Sequence, residues 1–437
     1  MAALPTDLTR RAALLGGAAL LGAPLLPARA RAATSWPSLA GKTINVLIIQ
    51  SHAVAAKVMQ EAFAKETGAK VELTIVPYDQ IGAKATLDVQ SGAGTYDVVQ
   101  YWYTDLGSLA SGGVLTDITG KLNDPGVEVK DFIPSIYDPY TLSDGKRWGL
   151  PFDGDSHILF VNTEILGRHG LKAPTTWDEY RENAKVITEA EGKSGIYGAA
   201  IMGFNVPIIV CGTFANRLTG FGGRFLKEDG TPDLTSDAAV AAAQAILDAA
   251  PYALPTPAET AFEQALPAFL SGKAAQMEFW TNLGAYAEDP ASSKIIGKWQ
   301  AVQIPLGGGN KTQRASLVAG FAFGVSSAAK NPEAAWEFVR WASSVDVQNV
   351  LVTNPTSGID PSRFSVLQGE AYKNFAPKLQ PVVQTAITGA LAWPNGPQAP
   401  ALLQSLSDEL AKIIAGTKKP EQGLADAQAQ WQRTLHA

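Results

Sequence analysis

The order of apolar segments between residues 42 and 102 restricts the fold more than any other feature of the sequence. "KTINVLIIQ" is an almost continuous apolar run with β-branched residues, which is typical of a buried parallel strand. Apolar residues at helical spacing follow it, and Gly68 supplies a helix stop. "KVELTIV", "KATLDVQSGAG" and "YDVVQYW" then predict strand, helix and strand. This alternation predicts a parallel α/β sheet, whose ligands bind beyond the carboxyl ends of the strands.

Polar and aromatic residues stand at two of these predicted strand ends. Ser51 and His52 follow the first strand directly. Trp102 closes the third strand, and Asp105 comes shortly after it. Because the carboxyl ends of parallel strands meet at one edge of the sheet, we expect these four side chains to lie near a ligand.

A further polar group lies in "WGLPFDGDSHILFVN", residues 148–162. Asp153, Asp155 and His157 are two positions apart, so their side chains share one face of an extended chain. A metal site would need further ligands of matching type, and His52 is the other histidine that could converge on it. Glycoside hydrolysis needs carboxyl groups that flank a sugar, whereas these two aspartates would lie on one side of it.

Hydroxyl recognition is the third interpretation of this segment. Carboxylates accept hydrogen bonds from sugar hydroxyls, often two at once, and aromatic rings cover the apolar face of a sugar. Three of the ten tryptophans stand in turns or strand ends that suit this role, namely Trp102, Trp280 and Trp393. Trp336 and Trp341, by contrast, lie on the predicted helix "AAWEFVRWA" and are interpreted as packing residues.

The sequence predicts no catalytic residue, cofactor or resident metal. "PLGGGNKT" lacks the glycine that a phosphate loop places directly before Lys-Thr. No nucleophile elbow, zinc-protease motif or dinucleotide fingerprint occurs. The single cysteine, Cys211, lies in an apolar run and is expected to be buried rather than catalytic.

The first 32 residues have the layout of a secretory signal peptide. Arg10 and Arg11 precede an apolar run, and small residues end the segment at Ala32. The paired arginines favour the twin-arginine export route. Cleavage would remove four arginines and one aspartate, which lowers the formal net charge from −6 to −9. An acidic chain of this kind is not expected to bind nucleic acid.

Seven stretches, by their order and spacing, resemble the extracellular solute-binding proteins of ABC importers, in the carbohydrate-binding group that includes maltose-binding protein. The resemblance covers essentially the whole chain after residue 32. The stretches are "FAKETGAKVEL", "YDVVQYWYTDLGSLASGGVLTDIT", "GKRWGLPFDGDSHILFVNTEIL", "GLKAPTTWDEY", "FLSGKAAQMEFW", "NPEAAWEFVRWASS" and "PEQGLADAQAQWQ".

The resemblance implies the type II periplasmic binding protein-like fold, in which two α/β lobes are joined by crossing hinge strands and enclose a ligand cleft. "WGLPFDGDS", "LVAGFAFGVSS" and "PTSGIDPSR" are similar to the three crossings. The implied boundaries are residues 33–152 for lobe 1, 153–318 for lobe 2, 319–356 for a return to lobe 1, and 357–437 for the C-terminal part of lobe 2.

The resemblance also implies a set of residues that contact the ligand in this cleft. Arg363 would suit an acidic group on the ligand, since a guanidinium binds carboxylate or phosphate in a forked geometry. The implied contacts are Ser51, His52, Trp102, Asp105, Asp153, Asp155, Trp280, Gly320, Phe321, Arg363 and Trp393.

The function that the resemblance implies is reversible binding of a sugar, polyol or sugar derivative by a monomeric periplasmic receptor, without catalysis. The receptor would deliver its ligand to the permease subunits of an ABC importer in the inner membrane. Two alternatives stay open. One is an exported carbohydrate-active enzyme that uses Asp153 and Asp155, and the other is a receptor for a non-sugar solute such as a polyamine or a phosphate ester.

Overall fold

The structure, a computed structural model, describes residues 36–436, so the predicted signal peptide at residues 1–32 lies outside the described residues. Within this range ten strands form two larger sheets and one short hairpin. The strands are β1 (Thr43–Ile49), β2 (Lys70–Val76), β3 (Val98–Trp102), β4 (Leu142–Ser143), β5 (Lys146–Arg147), β6 (Leu150–Asp153), β7 (His157–Asn162), β8 (Gln276–Trp280), β9 (Trp299–Val302) and β10 (Phe321–Val325).

Seventeen α-helices account for most of the remaining regular structure of residues 36–436. Within the same range, every helix is too short or too polar to cross a membrane. The helices are α1 (Ala53–Thr67), α2 (Ile81–Gln90), α3 (Leu106–Ser111), α4 (Pro134–Thr141), α5 (Thr163–Arg168), α6 (Trp177–Glu191), α7 (Pro207–Gly220), α8 (Asp237–Ala249), α9 (Phe262–Leu270), α10 (Leu283–Ala287), α11 (Pro332–Ala342), α12 (Val345–Val352), α13 (Phe364–Leu367), α14 (Glu370–Phe375), α15 (Gln380–Thr388), α16 (Ala399–Ile414) and α17 (Pro420–Leu435).

The first sheet has five strands in the order β2-β1-β3-β10-β6. β1 pairs in parallel with β2 and β3, which confirms the predicted parallel arrangement at the start of the chain. α1 ends at Gly68, whose φ is 76° and whose N–H donates to the Ala64 carbonyl (2.9 Å), as the predicted helix stop requires. β10 pairs antiparallel with β3 and β6, so later segments of the chain complete this sheet.

The second sheet has three antiparallel strands in the order β8-β7-β9. All six residues of its central strand, β7, are buried, in keeping with the apolar "ILFVN". α6 begins with a capping box, in which the Thr176 hydroxyl accepts the Glu179 N–H and the Glu179 carboxylate accepts the Thr176 N–H. α7 is an apolar helix that carries the fully buried Cys211, which confirms the predicted burial of that residue.

The chain passes from the first sheet to the second through residues 154–156, which join β6 to β7. The Gly154 N–H donates to the Asp360 carbonyl (3.1 Å), and the Asp360 N–H donates to Asp153 Oδ1 (2.8 Å). A Cβ at position 154 would overlap the Pro361 carbonyl oxygen, so glycine permits this close approach. Two of the predicted crossings therefore lie side by side, while the predicted lobe boundaries stay a prediction.

Gly320, directly before β10, has a backbone role, and the ligand contact predicted for it stays a prediction. Its φ is +118°, a conformation that other residues rarely adopt, and a Cβ here would overlap the Tyr140 hydroxyl. Its carbonyl accepts the Tyr103 N–H (3.2 Å), while the Tyr140 hydroxyl donates to the Ala319 carbonyl (2.9 Å). Glycine is therefore needed at this position for the chain to enter β10 beside Tyr140.

Replacing Gly320 by alanine is expected to lower the free energy of unfolding by about 1–3 kcal/mol, the usual cost of a strained backbone conformation or an overfilled core. Denaturant unfolding measures this loss. Gly389→Ala is the matched control, because φ is −108° there and no atom lies within 4 Å of the added Cβ. Equal stability of the two variants would contradict the backbone role of Gly320.

Candidate functional site

A cavity of about 200 Å³ lies where the end of β1 meets the β6–β7 connection, the end of β8 and the start of β10. Six of the eleven predicted site residues line it, namely Ser51, His52, Asp153, Asp155, Trp280 and Phe321. Residues that the sequence analysis did not select also line it, among them Tyr78, Phe262, Glu263, Asn282, Tyr286 and Gly358. We call this space the inner cavity.

A second cavity, of about 440 Å³, shares Tyr78, Ile208 and Phe321 with the inner cavity. Trp102 and Asp105 line it, so the structure brings these two predicted residues to the same region. Burial raises the pKa of Asp105 to about 7. We call this space the outer cavity.

Three buried carboxylates meet beside the inner cavity. One oxygen each of Asp153, Asp155 and Asp360 lies within 4.8 Å of the others. The Asp360 N–H bond to Asp153 Oδ1 holds two of these residues together, and Asp155 Oδ1 accepts the Thr281 hydroxyl (3.0 Å). We call these three residues the carboxylate group.

Burial, followed by the charges of Asp360 and Asp153, raises the pKa of Asp155 well above its usual range. Burial and the charge of Asp153 raise the pKa of Asp360 in the same way. Hydrogen bonds from Thr281 oppose both shifts without cancelling them. Asp155 and Asp360 therefore hold their protons more tightly in the folded chain than in the unfolded chain, where an aspartate ionises near pH 4.

Asp360→Asn is expected to stabilise the ligand-free chain in neutral and alkaline solution, because it removes a carboxyl whose pKa is raised by burial and by the charge of Asp153. A raised folded pKa contributes stability below the unfolded pKa, and that contribution is lost as pH rises through the folded value. Asparagine cannot ionise, so the gain over the wild type should be small near pH 4 and grow as pH rises.

Unfolding curves measured from pH 4 to pH 9 check this prediction. Asp178→Asn is the control, because Asp178 is exposed on α6 and its variant should follow the wild type at every pH. A pH-independent difference between Asp360→Asn and the wild type would contradict the electrostatic repulsion inferred for the carboxylate group.

His52 is oriented by a chain of hydrogen bonds that begins in β1. The Ile49 N–H donates to Gln100 Oε1 (3.1 Å), so the amide nitrogen of Gln100 is the atom that faces His52 Nδ1 (3.0 Å). Since Nδ1 accepts this bond, a neutral His52 carries its proton on Nε2, which lies 3.5 Å from Asp153 Oδ2. His52 thus presents a donor to the carboxylate group.

His157 is separated from the two aspartates that precede it in sequence. Its ring lies edge-on to Trp280, with 4.5 Å between the centroids, and its Nδ1 contacts the Asn216 side-chain amide (2.8 Å). Burial lowers its pKa to about 3, so it is neutral. The Asp-x-Asp-x-His pattern therefore places two carboxylates on the inner cavity and a packing histidine behind its Trp280 wall.

The family of the chain follows from a comparison with family models. The model of bacterial extracellular solute-binding proteins matches residues 50–349. The chain belongs to this family. The resemblance predicted from the sequence is thereby confirmed.

Relatives of this solute-binding protein are known in sequence and in structure. A Sinorhizobium fredii protein named "Probable amino-acid ABC transporter periplasmic-binding protein" is 27% identical over 96% of both chains. The structure of a solute-binding protein from Agrobacterium radiobacter K84 in complex with ribitol matches with a TM-score of 0.81 and 23% identity, over 91% of this chain and 99% of that chain. Maltose-bound MalE3 of T. maritima matches with a TM-score of 0.82 and 22% identity, over 90% and 99%. The predicted type II two-lobe fold is confirmed.

Arg363 does not reach either cavity of this solute-binding protein. The side chain is 1% exposed, and its guanidinium donates to the carbonyls of Ser343 (2.6 Å) and Val127 (2.9 Å). It also lies 3.7 Å from the centre of the Phe132 ring. These contacts hold the arginine in the interior, and its predicted contact with an acidic ligand group stays a prediction.

Trp393 is not among the lining residues of the inner or the outer cavity, and the ligand contact predicted for it stays a prediction. It is 3% exposed, its indole N–H donates to the Ser316 hydroxyl (2.5 Å), and it lines a separate cavity with Arg224 and Arg314. Its ring lies edge-on to Trp102 at 5.7 Å. Trp393 therefore packs against Trp102, the tryptophan that lines the outer cavity.

Asp360 is the one member of the carboxylate group that the sequence analysis did not select. It lies in "PTSGIDPSR", the segment predicted as a crossing, three positions before the selected Arg363. An aspartate in a crossing segment is the same signal that selected Asp153 and Asp155. That signal alone does not single out Asp360, because Arg363 lies in the same crossing segment.

Proposed function

We propose that this protein reversibly captures one small polyhydroxylated solute, a polyol or a sugar, in its inner cavity and delivers it to an ABC-type permease. The observation that carries the proposal is the joining of buried carboxylates and aromatic side chains around one small space. Carboxylates accept hydrogen bonds from hydroxyls, and aromatic rings cover the C–H faces. The ribitol and maltose held by two structural relatives are of this chemical class.

The size of the inner cavity favours a small ligand. Its volume of about 200 Å³ is below the roughly 300–1,000 Å³ of typical drug-sized sites. A linear polyol or a single sugar ring suits this space better than an oligosaccharide. Closure of the two lobes would be favoured because the ligand contacts both only in the closed form.

The proposal has three further parts. The protein is exported to the periplasm, its signal peptide at residues 1–32 is cleaved, and the mature chain is a monomer. The extracellular character of the family supports the location. The ABC-transporter names of relatives support a permease as the partner.

The enzyme alternative is less favoured by the site. One carboxylate oxygen each of Asp153, Asp155 and Asp360 lies within 4.8 Å of the others, and Asp153 and Asp155 line the inner cavity. Glycoside hydrolysis uses carboxyl groups that face each other across the sugar, about 5–5.5 Å or 6.5–9.5 Å apart according to mechanism. Clustered carboxylates suit the binding of ligand hydrogen-bond donors. They suit hydrolysis less well, because hydrolysis needs a nucleophile and a proton donor on opposite sides of the glycosidic bond.

A thermal-unfolding screen of residues 33–437 tests the proposal, with ribitol, mannitol, glucose, maltose and gluconate as probes. A ligand at 100 times its dissociation constant adds about 2.7 kcal/mol of stability, which raises the Tm clearly. Recovery of the unchanged probe after long incubation supports a receptor, whereas turnover would support the enzyme. No shift with any polyol or sugar would overturn the proposed ligand class.

A further inference from the structure

The charge lining the two adjoining cavities has one sign. Their described lining residues include five carboxylates and neither lysine nor arginine. His52 is the sole histidine among them. The carboxylates are Asp79, Asp105, Asp153, Asp155 and Glu263. A lining of this kind repels an anionic ligand and attracts a cation.

The spacing of the carboxylate group fits a single charged nitrogen. Three atoms that lie within 4.8 Å of one another fit inside a circle whose radius is at most 4.8/√3, or about 2.8 Å. One atom can therefore lie within hydrogen-bond distance of all three oxygens, since N⁺–H···O⁻ bonds measure about 2.7–2.9 Å. An alkylammonium group carries three N–H donors, one for each carboxylate.

The carboxylate group also has acceptors that the protein leaves unused. Asp360 is 2% exposed, and its Oδ2 has no hydrogen-bond partner among residues 36–436. Asp153 Oδ2 also has no hydrogen-bond partner within this range, and His52 Nε2 lies 3.5 Å from it. Buried acceptors without donors are costly, and ionised ones are costlier still. A ligand that supplies both donors and positive charge removes this cost.

We propose that the ligand bears a protonated amine, as in an amino sugar or an aminated polyol, and that Asp153, Asp155 and Asp360 bind its ammonium group. The inference rests on the proposed function and deepens it by naming the charge of the solute. Trp280, Phe262 and Tyr286 line the inner cavity together with Asp153 and Asp155, and they add aromatic faces that attract a cation and cover the carbon skeleton.

Calorimetric titration with matched pairs tests the inference. The pairs are glucosamine against glucose and 1-amino-1-deoxysorbitol against sorbitol, with methylamine and Ca²⁺ alone as further probes. We expect the aminated member of at least one pair to bind at least tenfold more tightly than its neutral partner. Asp360→Asn should reduce that preference to threefold or less, whereas the exposed Asp178→Asn should retain it.

The outcomes separate this inference from the proposed function. If the neutral member binds as tightly as the aminated one, the amine inference is wrong and the proposed function stands. If neither member of any pair binds, and the wider sugar panel is silent, both are wrong. Tight binding of Ca²⁺ without amine preference would replace the ammonium by a metal ion. An unchanged Tm of Asp360→Asn, or a raised one, shows that its lost preference does not come from unfolding.

Discussion

Replacing Glu278 by alanine is expected to lower the free energy of unfolding by about 3–5 kcal/mol, the usual cost of leaving one charge of a buried pair without its partner. Glu278 lies in β8, two residues before Trp280. Its carboxylate binds the guanidinium of Arg217 at two points, 2.6 Å and 3.0 Å, and the arginine is fully buried. The variant would leave that buried cation without its carboxylate; one guanidinium nitrogen would still donate to the Thr213 carbonyl (3.0 Å), and its centre lies 4.3 Å from that of the Trp177 ring.

Denaturant unfolding of Glu278→Ala beside Glu228→Ala measures this effect against a matched control. Glu228 pairs with Arg224 at 3.3 Å, but both side chains are exposed, so its loss should cost less than about 1 kcal/mol. The double variant Arg217→Met, Glu278→Leu removes both charges and should recover most of the lost stability. A cost for Glu278→Ala as small as that of Glu228→Ala would show that water reaches Arg217.

The first sheet could be predicted from the sequence because its signals are local. The apolar run of β1 and the alternation of β2 agree with the observed strands to within a residue or so, and the Gly68 stop is where the chain leaves α1. The position of β10 in that sheet could not be predicted from a local signal. It depends on pairing with β3, more than two hundred residues earlier, which no local pattern encodes and which the resemblance alone implied.

The site was predicted in part, for a related reason. Asp153 and Asp155 could be selected from the sequence because they are polar residues between apolar runs. Both line the inner cavity. Arg363 and Asp360 are near neighbours in the chain, and both are charged. Arg363 donates to backbone carbonyls, whereas Asp360 belongs to the carboxylate group. The choice between them depends on which way the backbone turns after Gly358, and spacing does not reveal that.

Asp155→Asn is expected to weaken ligand binding roughly 10- to 150-fold, because a hydrogen bond to a charged group contributes about 1.5–3 kcal/mol. The three hydrogen bonds that residues 36–436 give to this side chain all reach Oδ1, from the Ser156 N–H and from the N–H and hydroxyl of Thr281. Oδ2 is therefore the oxygen left for a ligand. Asparagine can keep the Oδ1 bonds and replaces Oδ2 by a donor.

Two measurements on Asp155→Asn separate a loss of ligand binding from a loss of stability. Calorimetry with the best probe of the sugar and amine panels gives the affinity, and unfolding of the ligand-free chain gives the stability. Because Asp155 lies within 4.8 Å of two other carboxylates, removing its charge should leave stability unchanged or raise it at neutral pH. Weaker binding in an equally stable protein identifies Asp155 as a ligand contact. Weaker binding together with a lower Tm would instead mean that its bonds to Thr281 mainly hold the end of β8 in place.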